Sequence, residues 1–201
     1  DEIENKIKSY SGGTQPLPKN MKVSKSKIKL NGDDIYNYIE LADINEKLGS
    51  VSNFEQIKGV DLPSRARMKV NKDCILMSSV EGSVDKIALI DFSKENLVAS
   101  TGFFVFKEDK LNKETILVLL KTLSKKYIKR QAQGTILTAI PINSLDRIET
   151  PNLKKDAQLK IAEKIKKSFE ARRLSLSLLT IAKNSMDILV DKGEKEALEF
   201  I

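Results

Sequence analysis

Between Lys155 and Asp191 the chain has no glycine, no proline and nothing else that would stop a helix. At about 1.5 Å per residue, such a helix extends roughly 55 Å. A chain of 201 residues buries one core of ordinary size, and a core of that size cannot cover so long a rod. The expectation is therefore one globular domain with a projecting helix. Along this helix Ala162, Ile165, Phe169, Leu176, Leu179, Met186 and Val190 follow steps of three and four, the spacing of a seam that meets a partner helix. Arg172 and Lys183 interrupt the seam, and polar seam positions set the register or orientation of a helical pair. The simpler alternative is a long helix folded back on its own domain.

Upstream, residues 1–20 are read as an irregular lead-in, because Gly12-Gly13, Pro16 and Pro18 break any long element. Residues 21–153 form the expected globular domain and 154–201 the long helix with an acidic tail. Strands are expected at residues 28–30, 36–41, 68–70, 74–79, 85–90 and 97–106, with a turn at Asn31-Gly32-Asp33-Asp34. Gly102, inside the last of these, suggests a bulge or a close approach of backbone. Gly49, Gly59 and Pro63 mark a long loop. Asn112 is a good N-cap for a helix to about Gln131, with Ile116, Leu117, Leu119, Leu120, Leu123, Tyr127 and Ile128 mainly on one face and Gly134 as its stop. Short strands are expected at 136–140 and 146–149. Strands first and helices later indicate an α+β class, a mixed twisted sheet with packed helices plus one long C-terminal coiled-coil-type helix.

The residue inventory removes many kinds of chemistry. Histidine is absent and Cys74 is the only cysteine, so histidine-dependent triads, imidazole zinc sites, disulfide frameworks and cysteine-rich metal sites are all unavailable. No glycine-rich turn lies between a strand and a helix, and no adjacent prolines supply the catalytic motif of amino-methylating DNA enzymes. Asp33-Asp34 and the group Glu194, Glu196 and Glu199 read as a solvated turn and a helix end, not as magnesium sites. No catalytic residue, metal or cofactor is expected. Nothing approaches the roughly 18 apolar residues of a membrane span, and a single cysteine fits a reducing, cytoplasmic setting. The chain opens on Asp1, not Met, which suggests a segment of a longer chain.

A net charge of +7 favours an anionic partner. The cations cluster: Lys58, Arg65, Arg67, Lys69 and Lys72 face only Asp61 in their stretch, and Lys121, Lys125, Lys126, Lys129 and Arg130 have no acid among them. From Lys154 to Arg173 cations again outnumber acids, while the tail from Asp187 to Glu199 is net acidic. A positive body with a negative tail fits phosphate contact by the body. The loop Leu62-Pro63-Ser64-Arg65-Ala66-Arg67 is the best candidate for base reading, since two arginines two apart on extended backbone point the same way and arginine can grip guanine O6 and N7. Equally, Arg65 and Arg67 could bind phosphates or a carboxylate within the fold. Ser64, Lys69, Ser79, Ser83, Lys86, Ser100, Thr101, Gln133, Gly134 and Thr135 complete the candidate DNA contacts, small donors and cations suited to phosphate or sugar.

The order of these pieces resembles the specificity subunits of type I restriction-modification systems and the C-terminal recognition regions of adenine DNA methyltransferases. The resemblance runs through residues 38–44, the loop at 62–67, Ile75 to Ser79, Ser100-Thr101-Gly102-Phe103 and Gly134-Thr135-Ile136. It ends on Pro151-Asn152-Leu153 and a helix opening with Gln158, Ile161 and Ile165. It implies an α/β recognition domain that reads one half of a split duplex DNA target and a long helix that pairs with another to set the distance to a second recognition domain. It further implies docking of a methyltransferase subunit, and of a restriction subunit where one is present, with adenine methylation and cleavage done by those partners and no chemistry by this chain. Complete specificity subunits carry two recognition domains and two long helices, and this chain has one of each. It fits a half-subunit that forms a homodimer, part of a longer subunit, or the recognition region of a single-chain methyltransferase. A non-catalytic coiled-coil adaptor is the reading outside that family.

Overall fold

The computed structural model describes residues 2–129 and 139–200, which fall into two compact units, Asp1–Gln158 and Leu159–Ile201. In chain order the elements are α1 (Glu2–Lys8), β1 (Thr14–Pro16), β2 (Met21–Ser24), β3 (Ile35–Ile39), β4 (Ile44–Asn45), β5 (Ser50–Val51) and β6 (Glu55–Lys58). There follow β7 (Ala66–Lys69), β8 (Ile75–Ser78), β9 (Ile87–Leu89), β10 (Leu97–Ser100), β11 (Phe103–Glu108), α2 (Lys113–Lys129), β12 (Glu149–Pro151), α3 (Lys155–Lys192) and α4 (Glu194–Phe200). The α+β expectation with a long C-terminal helix holds.

Two sheets build the first unit, one in the order β6-β3-β10-β7 and one in the order β2-β11-β8-β9-β5-β4. Each mixes parallel and antiparallel pairs: β10 runs parallel to β3, and β5 parallel to β9. A core lies between the sheets, contributed by Ile39, Met68, Leu97 and Ala99 from the first and by Ile44, Leu76, Ala88, Phe103 and Val105 from the second. Because side chains alternate along a strand, the other face of the first sheet carries Tyr36, Tyr38 and Val98, joined by Ala66 beyond the register shift between β7 and β10, and packed with Ile28, Leu30, Ile57 and Leu62. The outer face of the second sheet is covered by α2, which packs on β8, β9 and β11.

The stretch 97–106, expected as one strand, is two. β10 ends in the first sheet, Thr101-Gly102 turns, and β11 begins in the second. Gly102 therefore sits at a crossing between sheets, not at a bulge within one. Residues 44–58, expected as loop, hold β4, β5 and β6; strands of two residues and a polar edge strand carry no apolar alternation by which to find them. The strand expected at 28–30 is instead β2 at Met21–Ser24, followed by a single bridge of Lys27 to Met68. The helix end near Gln131, the Gly134 stop and residues 136–138 of the expected strand lie outside the described residues, while Ala139 bridges Val80.

The lead-in is ordered, contrary to the irregular reading. β1 pairs antiparallel with β12, so the start of the chain is sewn to the strand that precedes α3. Asn20 Nδ2 donates to Thr150 Oγ1 at 2.6 Å, and Thr150 Oγ1 donates to the Gln15 carbonyl at 3.0 Å. Both Asn20 and Thr150 are buried, so each satisfies a group that would otherwise be orphaned. The segment expected as a strand at 146–149 begins in a 3-10 turn (Ile142–Arg147) and enters β12 only at Glu149.

Asn112 caps α2 as expected, its Oδ1 accepting from Thr115 N at 2.9 Å. The cap is itself held by the opening turn of α3. Gln158 Oε1 accepts from Asn112 N at 3.0 Å, Gln158 Nε2 donates to the Leu153 carbonyl at 3.1 Å, and Asn112 Nδ2 donates to the Gln158 carbonyl at 3.2 Å. Gln158→Ala leaves the half-buried Asn112 backbone donor without its acceptor and should cost about 1–3 kcal/mol. A lowered urea midpoint with an unchanged slope is the expected result, and an unchanged midpoint would show that the network contributes nothing.

Candidate nucleic-acid interface

At one end of the first sheet, β3 and β10 finish where β7 begins, and this coincidence of strand ends builds a recess of about 420 Å³. Its walls include Glu40, Leu41 and Ala42 after β3, Arg65 before β7, Ser100, Thr101 and Gly102 at the crossing, and Ser79 and Val80 after β8. Backbone hydrogen bonds lock these loops together: Thr101 N donates to the Arg65 carbonyl at 2.8 Å and Ser79 N to the Gly102 carbonyl at 2.8 Å. Ser100 Oγ accepts from Gly102 N at 3.1 Å, which closes the turn. Four of the candidate contacts, Arg65, Ser79, Ser100 and Thr101, thus meet in one place although they span 37 positions in the chain.

Arg65 sits in a turn closed by Ala66 N to the Pro63 carbonyl at 2.8 Å. Its Nε donates to Tyr38 Oη at 3.1 Å and its Nη2 to Glu40 Oε2 at 2.7 Å. Tyr38 is buried, whereas the side chains of Arg65 and Glu40 are 58% and 39% exposed. The Tyr38 hydroxyl, and after it the Glu40 carboxylate, raise the guanidinium above its already high ordinary value, so Arg65 is always charged. The reading of Arg65 on a carboxylate within the fold is realised, and its end remains open to solvent.

Arg67 does not join Arg65. Arg65 sits in the turn before β7 whereas Arg67 is in β7 itself, and Arg67 Nε donates to the Ser64 carbonyl at 3.0 Å. Arg67 and Lys69 lie instead on the outer edge of the sheet, where residues 26–28 run beside β7: Ile28 N donates to the Arg67 carbonyl and Lys69 N to the Ser26 carbonyl, each at 2.9 Å. That pairing adds exposed Lys25, Lys27 and Lys29 to exposed Arg67 and Lys69. The sequence reading missed these three lysines. Their only signal was alternation with Ser26, Ile28 and Leu30, and about 40 positions separate them from their partners. Lys58 is on the opposite edge of the sheet, so the run from Lys58 to Lys72 is no single patch.

Of the remaining candidates, Ser64 is exposed beside Arg65. Ser83 lies in the turn after β8, and Lys86 turns inward, its Nζ donating to the Ile44 carbonyl at 3.2 Å, so neither joins the recess. Gln133, Gly134 and Thr135 lie outside the described residues. Among the described residues, no group of histidine, cysteine or carboxylate side chains could hold a metal, and no helix is long and apolar enough to cross a membrane.

In the second unit α3 carries two apolar stripes, not one. At 100° per residue, Leu176, Leu179, Met186 and Val190 share one face, and Leu174, Leu178, Ile181 and Leu189 share the opposite one. All eight are exposed. On the first stripe's N-terminal continuation, Ala162 and Phe169 are buried and Ile165 is half-buried.

No family model matches the chain, and no curated protein matches it. Solved structures do. An HsdS subunit from Thermoanaerobacter tengcongensis superposes with a TM-score of 0.68 at 19% identity, over 90% of this chain and 47% of that one. A chain from a structural study of complex assembly and conformational transition in a type I R-M system gives 0.56 at 18% identity, over 87% and 48%. The S subunit of a type I restriction-modification system from M. genitalium gives 0.51 at 15% identity, over 85% and 43%. The fold is the one found in these chains, and this chain spans just under half the length of each.

Proposed function

We propose that this chain is one recognition half of a type I restriction-modification specificity assembly. It binds one part of a split duplex DNA target through the first unit and does no chemistry itself. The observation that carries this reading is the joining of the two parts: a two-sheet unit with a recess and a cationic edge runs into a 38-residue helix that exposes apolar residues on opposite faces. One stripe, Leu176, Leu179, Met186 and Val190, pairs with the helix of a second recognition unit, supplied by another copy or by a further domain. The opposite stripe is left for a methyltransferase subunit, which places the methyl group on adenine. Where a restriction subunit is present, cleavage is its work.

Selection from a pool of random duplexes at several salt concentrations tests the reading. The expected outcome is an enriched sequence whose binding outlasts that of random duplex as salt rises, because phosphate contacts alone lose affinity uniformly. Enrichment of no sequence, with all binding lost together, would instead favour the coiled-coil adaptor.

A further inference from the structure

Arg65 differs from every other exposed cation near the recess in how it is held. Nε and Nη2 form one edge of the planar guanidinium, and these are the atoms engaged by Tyr38 and Glu40. The end of the fork consists of Nη1, which has no partner among the described residues, and the second N–H of Nη2, on a side chain 58% exposed. That end offers two parallel N–H donors, the pattern matched by O6 and N7 of guanine in the major groove. Phosphate oxygens match it as well, so geometry alone does not choose between them.

Charge chooses. Glu40 Oε2, at 2.7 Å, offsets the positive charge of Arg65, so the pair is neutral and its attraction for a phosphate is weakened. A neutral base edge requires donors in the right direction and needs no net charge. The restraint acts the same way. An arginine clamped along one edge by a buried phenol and a carboxylate has already lost much of the rotamer freedom that binding would otherwise remove. Arg67, Lys69, Lys25, Lys27 and Lys29 have no carboxylate partner among the described residues and are the better phosphate ligands.

We propose that Arg65 reads a single guanine through its Nη1–Nη2 end, with Tyr38 and Glu40 as the positioning residues that aim it, while the cationic edge holds the backbone. Tyr38 lies in β3 and Glu40 directly follows the strand in extended backbone, two positions on, so alternation keeps both restraints on one side of the chain. This inference rests on the proposed role in reading duplex DNA.

The test begins with the duplex enriched by the full chain. Each guanine in it is replaced in turn by 7-deazaguanine, which removes the N7 acceptor and leaves the phosphates unchanged. Wild-type protein should lose about 5- to 150-fold in affinity at one particular guanine, the range set by one bidentate contact. Arg65→Ala and Arg65→Lys should both become indifferent to that one replacement while keeping their preferences elsewhere. Glu40→Gln should split the two effects: discrimination at that guanine falls, yet affinity for random duplex rises, because the guanidinium charge is no longer offset. Tyr38→Phe should lower discrimination without that rise. Two results overturn the inference while leaving the recognition function standing. One is an Arg65→Ala protein that keeps every guanine preference. The other is one that weakens all duplexes equally and lowers the salt slope by about 0.9, the mark of a lost phosphate contact. If wild-type protein enriches no sequence at all, both readings fall together.

Discussion

Leu176→Glu combined with Leu179→Glu should abolish helix pairing through this stripe of α3 while leaving the first unit folded. Both leucines are about half exposed, at 51% and 53%, and they lie on the stripe that continues the seam from Ala162. A leucine buried in a helical pair contributes about 1.5–3 kcal/mol. Two leucines on each of two helices therefore supply at least roughly 6 kcal/mol, a factor on the order of 10⁴ in the dissociation constant. Replacing them with glutamate adds the cost of desolvating carboxylates, so the expected loss is larger still. Light scattering on the chain alone and with a methyltransferase subunit, the proposed partner, should report a smaller mass for the variant in at least one case. An unchanged mass in both would refute the assignment of this stripe. Leu174→Glu with Leu178→Glu, on the opposite stripe, serves as the contrast and should leave helix pairing intact.

Phe106→Ala is expected to produce the largest single loss of stability in the first unit. Phe106 is fully buried at the centre of β11, opposite Ile75 of β8 and Val23 of β2. It points to the face covered by α2, since its neighbour Val105 belongs to the core between the sheets. Removal of the ring leaves a cavity that backbone pairing on both sides prevents from collapsing, at a cost of about 3–5 kcal/mol. For a unit of this size each kcal/mol lowers the melting temperature by roughly 2–4 °C, so a fall on the order of 6–20 °C should appear in thermal unfolding followed by circular dichroism. A shift of under about 2 °C would contradict the packing described.

Much of this fold is legible in residues that are near neighbours. The turn at Asn31-Gly32-Asp33-Asp34, strands β3, β7, β8 and β9, the Asn112 cap and the whole of α3 announce themselves in windows of a dozen residues or fewer. Elements defined by distant partners do not. β1 and β12 are three residues each, and what makes them strands is each other, across about 135 positions. β6 is nearly all polar and exists because β3 leaves it an open edge. The split of 97–106 at Gly102 reflects the demand for two sheets, and a run of apolar residues is the same whether it serves one sheet or two.

The candidate interface divides in the same way. Arg65 is conspicuous as an arginine beside a proline in a loop, but its partners Tyr38 and Glu40 precede it by 25 to 27 positions and look like ordinary strand residues. Lys25, Lys27 and Lys29 acquire a role only when residues 26–28 are laid against β7. The lysines of the 58–72 run lose their unity for the opposite reason, because the sheet order sends Lys58 to the far edge.

By itself the sequence determined that this chain is an α+β unit joined to an uninterrupted helix too long for its own core, and that histidine and disulfide chemistry are closed to it. Helix periodicity, breaker residues and missing side-chain types are local properties, and no tertiary arrangement can reverse them. Only the tertiary structure decided which cations stand together, which one is held by a phenol and a carboxylate, and that the opening of the chain is sewn to the strand that precedes the long helix. Those relations depend on which strand ends coincide, and strand pairing between remote segments is settled by the burial of the whole core, which no single window of sequence contains.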